Sequence, residues 1–528
     1  MDRREFLLQA AGVAAGAFLT RRGMAQAGAS TAAPTGGAAG EMVSGEMNID
    51  LETPGHLIPE NFSGLSYELA QLTDPNFFAA SNKELIALFR LLSPAGVLRL
   101  GGNSSETCWL RVEASTEPPE APKVEGPADQ HWMPSELFEI KAQAVDNLGE
   151  FMKATGWQLI YGLNFGHSSP ERLAREAEYI AGKAGGSVLY FQIGNEPDFY
   201  SAANNRTRPA NWGFADYMKE WLACAEAILQ RVPEAKFGGP DVGSTSNWIS
   251  QFIRGAAEKL GKHLVAASGH YYAEGPPDDP RVTTSRLLRT NPQIGRSTKT
   301  ISELAARNGL VYRMTEGNSC YRGGKPGMSD AFASALWAGD YMLALAASGC
   351  AGVNLHGGSR SMLRASLGNH MPGETVAAPG SDAKGGYYTP IAGELNEGFK
   401  ARPIFYGMCL ANQFAGMQFK SSTLSGTGMD ATAYAAEKDG EVRLAVFNKD
   451  SGRDLKLAVG APAGIKQARI WRLTAPGLDS TAGVTLAGSE VSGDATWKPA
   501  EVETAAVLEG KVAIEVPRDS AVLAFLNR

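Results

Sequence analysis

Two glutamates stand where a chemical role is most readily argued. Leu189-Tyr-Phe-Gln-Ile-Gly-Asn-Glu-Pro197 reads as a strand ending in Asn195-Glu196-Pro197, and Val311-Tyr-Arg-Met-Thr-Glu-Gly-Asn-Ser319 as a strand ending in Glu316. Strand alternation puts Gln192, Gly194 and Glu196 on one face, and Pro197 stops the strand and fixes the turn. A lone glutamate at a strand end is ordinarily a solvated loop residue. Two acids in one pocket are what cleavage of a glycosidic bond needs. One donates a proton to the leaving oxygen, while the other attacks or activates water. Their surroundings must then push the two pKa values apart.

The elements that would bring them together are βα units. From about Asn61 to Gly416, short apolar runs alternate with longer amphipathic segments, which implies a parallel sheet. Eight candidate strands follow: Ser63–Leu69, Val97–Asn103, Gln158–Phe165, Leu189–Pro197, Lys236–Gly243, Leu264–Tyr272, Val311–Ser319 and Ala351–Gly358. Helices are expected between them, among them Ser81–Leu92, Leu137–Thr155, Pro170–Gly182, Phe214–Arg231, Ser297–Asn308 and Ser329–Ala347. Eight strands with crossovers predict a (β/α)₈ TIM barrel. Glu196 then ends the fourth strand and Glu316 the seventh, at the face where barrel enzymes keep their chemistry. By alternation, His270 lies on a strand face with Tyr272 and either lines the pocket or is a core histidine. Arg99 shares a face with Gly101 and Asn103 and either holds Glu316 ionised or forms a structural salt bridge.

Residues 417–528 carry short alternating runs such as Glu441–Phe447, Gln467–Leu473 and Ala521–Leu526. They read as an accessory antiparallel β-sandwich, to which residues 46–60 add a strand through Met47–Thr53. No aromatic platform marks this region as a sugar-binding module, so a packing domain is expected. At the other end, Arg3-Arg4 with apolar followers, the Ala10–Leu19 stretch and Ala25-Gln26-Ala27 have the pattern of a twin-arginine signal peptide over residues 1–27,. Residues 28–45 then read as a flexible leader. Export to the periplasm or beyond is the expectation, with no stable membrane anchor. Glu117–Pro134 and Ser359–Gly386 are long loops, of the kind that shape a substrate pocket.

The net charge of −7, with no long basic run, argues against nucleic acid or a heavily sulfated polyanion as the main partner. The five cysteines show no CxxC spacing, which argues against a zinc site. They fit buried small hydrophobes better than a disulfide framework. No metal or organic cofactor is expected.

Gly194-Asn-Glu-Pro197 resembles the acid/base signature of the large barrel glycosidase clan. Leu98-Arg-Leu-Gly-Gly-Asn103, Gly269-His-Tyr-Tyr272, Thr315–Gly324, Tyr387-Tyr-Thr-Pro-Ile391 and Ala401–Gly407 together resemble glycoside hydrolase family 79, which holds β-glucuronidases and heparanases. The resemblance runs from about Asn61 to Phe414. It implies that Glu196 is the acid/base and Glu316 the nucleophile. Asn195 would bond the sugar 2-hydroxyl, and Tyr272 would donate a hydrogen bond to Glu316. Tyr321, Tyr388 and the backbone amides of Arg322 and Gly323 would bind a substrate carboxylate, with Arg322 standing in a stretch usually richer in glycine. Asn103 and Glu106 match positions that touch the far sugar hydroxyls; Glu106 also reads as a helix-start carboxylate. The expected activity is that of an exo-acting retaining β-glucuronidase on a glucuronic-acid-containing oligosaccharide or glucuronide. Another retaining activity of the clan, of xylosidase or arabinofuranosidase type, is the alternative. A non-catalytic sugar-binding barrel is the third reading, weakened because both acids are present.

Overall fold

The computed structural model describes residues 41–121, 136–202, 205, 207–244, 246–378 and 386–527. The expected signal peptide and parts of both long loops lie outside the described residues. Eight parallel strands close into a barrel in chain order: β1 (Ser63–Glu68), β2 (Val97–Gly101), β3 (Gln158–Leu163), β4 (Val188–Ile193), β5 (Phe237–Val242), β6 (Leu264–Glu274), β7 (Val311–Cys320) and β8 (Val353–Gly357). Strands of such a barrel are covered by helices outside and by side chains within, so they read as continuous apolar runs. Every residue of β1, β2, β5 and β8 is accordingly buried.

Most expected elements match within a few residues. Phe214–Arg231 is helical over its whole predicted length. Leu137–Thr155 differs: Phe138–Lys141 is a short strand paired in parallel with Cys108–Arg111, and the helix begins only at Ala142. Isoleucine and phenylalanine alternating with charged residues in Phe138–Lys141 suit a half-buried strand better than a first helical turn.

Ile391–Glu394 and Gly398–Ala401 pair as a separate two-stranded sheet, and one eleven-stranded sheet is formed by Glu41–Ile49 and the strands of residues 418–526. It encloses its own apolar core, built on Met47, Leu444, Leu457, Ile514 and Leu526 among others. This sheet is mixed, where a wholly antiparallel one was expected: Glu41–Ile49 runs parallel to Arg453–Gly460 and antiparallel to Ser422–Ser425. That strand also starts inside the segment read as a flexible leader. Gly45 lowers its apparent strand content, but Val43, Gly45 and Met47 alternate with polar residues along it.

The helix Phe332–Ala347 lies between barrel and sheet and is apolar on nearly every face, with Asp340 its one charged residue,. It packs against the helix Pro403–Asn412 so closely that a Cβ on Gly407 would collide with the Ala335 carbonyl. The junction is fastened by a buried cation. Lys449 Nζ reaches Thr290 Oγ1 at 2.6 Å and Asp340 on that helix at 2.5 Å, and lies 3.4 Å from Asp430. Thr432 and Tyr434 hydroxyls also donate to Asp340, each at 2.6 Å.

Candidate active site

Two irregularities in the barrel prepare the site. The pairing of β5 with β6 shifts between Pro240 and Val242, so Asp241 is an extra residue. The pairing of β6 with β7 shifts between Met314 and Glu316, which makes Thr315 another. Bulges of this kind re-aim side chains at the rims of barrels. The two bulged residues meet, the Thr315 hydroxyl donating to the Asp241 carboxylate.

Glu196 does not lie on its strand. β4 stops at Ile193, and the chain then passes through Gly194 (φ 91°) to Glu196 in the left-handed region (φ 47°, ψ 50°). The period-2 argument that placed Glu196 on the Gln192 face therefore ends three residues early. A left-handed non-glycine residue costs roughly 1–2 kcal/mol and persists only where its surroundings hold it. Here the Glu196 amide donates to the Asp241 carbonyl at 2.9 Å, the Gly194 amide donates to Leu163 at 3.1 Å, and Pro197 opens a 3₁₀ turn behind it.

Glu316 stays within β7. Its Oε1 accepts from the Tyr272 hydroxyl at 2.7 Å and its Oε2 from Arg99 Nη1 at 2.6 Å. Burial works against its charge, but the His356, His270 and Arg99 side chains and the Tyr272 hydrogen bond outweigh burial and hold the carboxyl well below the usual range,. One carboxylate oxygen from each glutamate and a ring nitrogen of His270 all lie within 4.8 Å of one another.

Arg99 is the hub. Fully buried, it donates from Nε to Gln192 (3.1 Å), from Nη1 to Ser66 (3.1 Å) and Glu316, and from Nη2 to Asn195 Oδ1 (2.7 Å) and Asp241. The sequence left open whether it steadies Glu316 or forms a structural salt bridge; it does both at once. Asp241 also accepts from Gln192 Nε2 at 2.6 Å. With Arg99 and His270 beside it, its carboxyl is held far below the usual range despite complete burial.

His270 is buried between two carboxylates. Its Nδ1 is 3.2 Å from Glu196 Oε1 and its Nε2 is 3.2 Å from Asp241 Oδ1, the latter an ion-pair contact without good hydrogen-bond alignment. Burial alone would lower its pKa, yet the charges of Asp241 and Glu316 carry it up to about 10. Glu196, His270 and Glu316 are also the grouping, among the described residues, whose donor atoms lie close enough to hold a cation. The Arg99 guanidinium and the imidazolium already neutralise these carboxylates, which disfavours a metal there.

Around the acids, Tyr272 meets Tyr321 and Tyr388 edge-on, each at 6.3 Å between ring centroids. Asn318 fastens the Tyr388 segment to the barrel, donating to the carbonyls of His356 (2.8 Å) and Tyr388 (2.9 Å). Arg322 is left-handed (φ 57°), followed by Gly323 (89°) and Gly324 (86°), and its guanidinium lies 6.0 Å over the Tyr321 ring. The Gly323 carbonyl accepts from the Tyr387 amide at 2.7 Å, tying the two loops together. Asn103 stands in a 3₁₀ turn beyond the end of β2, and its Oδ1 lies 3.5 Å from Asn195 Nδ2.

Glu106 departs from the sugar-contacting role that the resemblance implies: it closes the 3₁₀ turn Asn103–Glu106, is 0 % exposed, and each of its oxygens accepts a backbone amide, those of Asn195 (2.5 Å) and Gly166. It braces the segment carrying Asn195 and Glu196. Burial pushes its carboxyl up to about 7 even though these amides favour the charge.

The sequence reading also missed Asp241, His356 and Glu68. His356 joins Ser66 Oγ (2.9 Å) and Glu68 Oε1 (3.3 Å) and lies 3.9 Å from Glu316. The available signal was position: Glu68 ends β1, Asp241 nearly ends β5 and His356 nearly ends β8, the same strand ends that singled out the two glutamates. A separate cleft of about 330 Å³, lined by Glu84, Arg360, Glu394 and Arg402 among others, contains none of these residues.

Comparison with known proteins agrees with the fold. Residues 432–523 match the family model of the glycosyl hydrolase family 79 C-terminal beta domain. A β-glucuronidase of Aspergillus niger is 28% identical over 314 residues, 54% of this chain and 55% of that protein. The heparanase of Mus musculus is 24% identical over 350 residues, 55% of this chain and 61% of that protein. The chain thus spans little more than half the length of these curated relatives. Among solved structures, the 4-O-α-L-rhamnosyl-β-D-glucuronidase of Fusarium oxysporum superposes with a TM-score of 0.68 at 17% identity, over 92% of this chain and 100% of that one. The family 51 arabinofuranosidase of Xanthomonas axonopodis pv. citri gives 0.59 at 16%, again over 92% and 100%. A closed parallel barrel with an attached β domain, as in those glycosidases, is the class of protein that this fold defines. Residues 432–523 are thus similar to the C-terminal beta domain of glycoside hydrolase family 79, and about half of the chain is similar to a β-glucuronidase and a heparanase.

Proposed function

We propose that the protein is a retaining β-glucuronidase, acting from the chain end and exported to the periplasm or beyond. The carrying observation is the approach of Glu196 and Glu316 to within 4.8 Å, with Glu316 held as an anion. Retaining glycosidases space their two carboxyl groups about 5–5.5 Å apart, whereas inverting ones leave about 6.5–9.5 Å for a water. Glu316, stripped of its proton by Arg99 and Tyr272, attacks the anomeric carbon while Glu196 protonates the departing oxygen. A covalent glycosyl-enzyme forms. Glu196 then takes a proton from water, which displaces Glu316 and releases the sugar with its original configuration.

Asn195, whose amide oxygen is fixed by Arg99, can turn only its NH₂ toward a sugar hydroxyl,. In this reading Tyr321, Tyr388 and the amides of Arg322 and Gly323 hold the substrate carboxylate. The relatives named as glucuronidases support glucuronic acid as the sugar released. Among the described residues no helix is long and apolar enough to cross a membrane.

The test is hydrolysis of nitrophenyl glycosides of glucuronate, xylose and arabinose, with product stereochemistry followed by NMR. Preferred release of β-glucuronate with retention supports the proposal. Strong activity on an uncharged sugar alone removes the carboxylate-binding roles of Tyr321 and Tyr388. Inversion removes the double displacement.

A further inference from the structure

The end of β5 touches Glu196 in three independent ways. The Asp241 carbonyl accepts the Glu196 amide at 2.9 Å. The Asp241 carboxylate faces His270 Nε2 at 3.2 Å, and His270 Nδ1 in turn faces Glu196 Oε1 at 3.2 Å. Gly243 leaves room for the carboxyl itself: a Cβ there would lie 2.5 Å from Glu196 Oε1, 2.7 Å from its Cδ and 2.5 Å from the Phe199 ring. Gly243 is not in the left-handed region, so its lack of a side chain answers to space and not to backbone conformation. The amides of Gly243 and Ser244 donate to Asp198 at 3.0 and 3.1 Å, which locks this strand end to the turn that carries Glu196.

We propose that this strand end is the positioning element of the acid/base: Asp241, acting through His270, and Gly243 fix which oxygen of Glu196 carries the transferred proton. The Nδ1 of His270 faces Glu196 Oε1 as a donor, while its Nε2 meets Asp241 as an ion-pair contact without hydrogen-bond alignment. Oε1 of Glu196 therefore accepts the Nδ1–H, and an oxygen accepting that bond cannot also present a proton along it. The acid proton is confined to Oε2, which aims it at one place in the pocket. The charged groups around the imidazole come from every neighbouring strand: Asp241 from β5, Glu196 from the end of β4 and Glu316 from β7, with Arg99 of β2 pairing with Asp241 and Glu316. Neither Asp241 nor Gly243 is assigned contact with substrate. The inference rests on the reading of Glu196 as acid/base.

The experiment compares wild type, Gly243→Ala and His270→Gln on two β-glucuronides, a dinitrophenyl one whose aglycone leaves without a proton and an alkyl one that requires it. Asp241→Asn is less selective, because Asp241 also pairs with the arginine that holds Glu316; His270→Gln also withdraws positive charge from Glu316, which slows both substrates and leaves their ratio to report on Glu196. The ratio of kcat/KM for the dinitrophenyl over the alkyl substrate is expected to rise about 100-fold in both variants, the lower end of what proton transfer contributes. An unchanged ratio in either folded variant, with both substrates slowed alike, overturns the proposal. If the added methyl of Gly243→Ala prevents folding, His270→Gln decides alone. A wild-type protein that hydrolyses neither glucuronide overturns the functional reading itself, a result distinct from an unchanged ratio.

Discussion

The role of Tyr272 gives a prediction that can be worked through in numbers. Its hydroxyl donates to Glu316 Oε1 at 2.7 Å, and burial with the facing Glu316 charge keeps that hydroxyl protonated far above neutral pH. Tyr272→Phe removes this one donor and leaves the ring between Tyr321 and Tyr388, so little cavity is created. A hydrogen bond to a charged group contributes about 1.5–3 kcal/mol, and one pKa unit corresponds to about 1.4 kcal/mol. The Glu316 ionisation should thus move up by about one to two units. The sign is definite. Glu316 is depressed in the folded protein, so the active anion persists above its folded pKa and is lost as pH falls through it. Tyr272→Phe must therefore shift the acid limb of the kcat/KM profile to higher pH. The stability that Glu316 contributes above the normal carboxylate range must shrink with it, by the same amount. In the proposed double displacement Glu316 would depart as an anion in the second half-reaction, so kcat should also fall about 10–100-fold. A pH series with a nitrophenyl glucuronide, paired with thermal melts at pH 4 and 7, measures all three. An acid limb that does not move, in a folded variant, would refute the assignment of Tyr272 as the donor that keeps the nucleophile charged.

Other outcomes follow from the same contacts. Glu196→Ala should slow alkyl glucuronides far more than dinitrophenyl ones, and added azide should restore part of the lost turnover; uniform loss with no azide effect would count against the acid/base role. Lys449→Met leaves Asp340 without its buried cation and should destabilise the protein by about 3–5 kcal/mol, seen as a lower midpoint in urea, with KM unchanged. Glu106 binds its proton more tightly folded than unfolded, with a pKa of about 7 against 4.5. Its stabilising effect is full below 4.5 and lost as pH rises through 7. Glu106→Gln should therefore flatten the fall in melting temperature across that window, and a wild-type slope left intact would show that Glu106 is not its source.

The barrel was legible in the sequence because its strands obey a local rule. Buried parallel strands are short apolar runs, and β1 to β8 all lie within a few residues of the runs that announced them. Glu196 and Glu316 were legible because acids at strand ends in Asn-Glu-Pro and Thr-Glu-Gly settings are conspicuous. The parts that escaped depend on departures from regular pairing. Asp241 reaches Arg99 and His270 because β5 bulges against β6, and Glu196 reaches its place through two left-handed residues. Neither is visible to an argument from alternation. Glu106 was misjudged for a related reason: its type and position suit a sugar contact, but only the folded chain shows that two backbone amides already occupy its oxygens. The parallel pairing of Glu41–Ile49 was hidden because its partner lies some 400 residues away in the chain,.

The central claim is that Glu316 traps the sugar covalently. It is tested most directly by incubating the protein with a 2-deoxy-2-fluoro-β-glucuronosyl fluoride, which slows release of the intermediate, and mapping the adduct by peptide mass spectrometry. The expected result is time-dependent inactivation with one fluoroglucuronosyl group on Glu316, absent in Glu316→Gln. An adduct on a different residue, or hydrolysis by wild type that inverts the anomeric centre with no adduct formed, would contradict it.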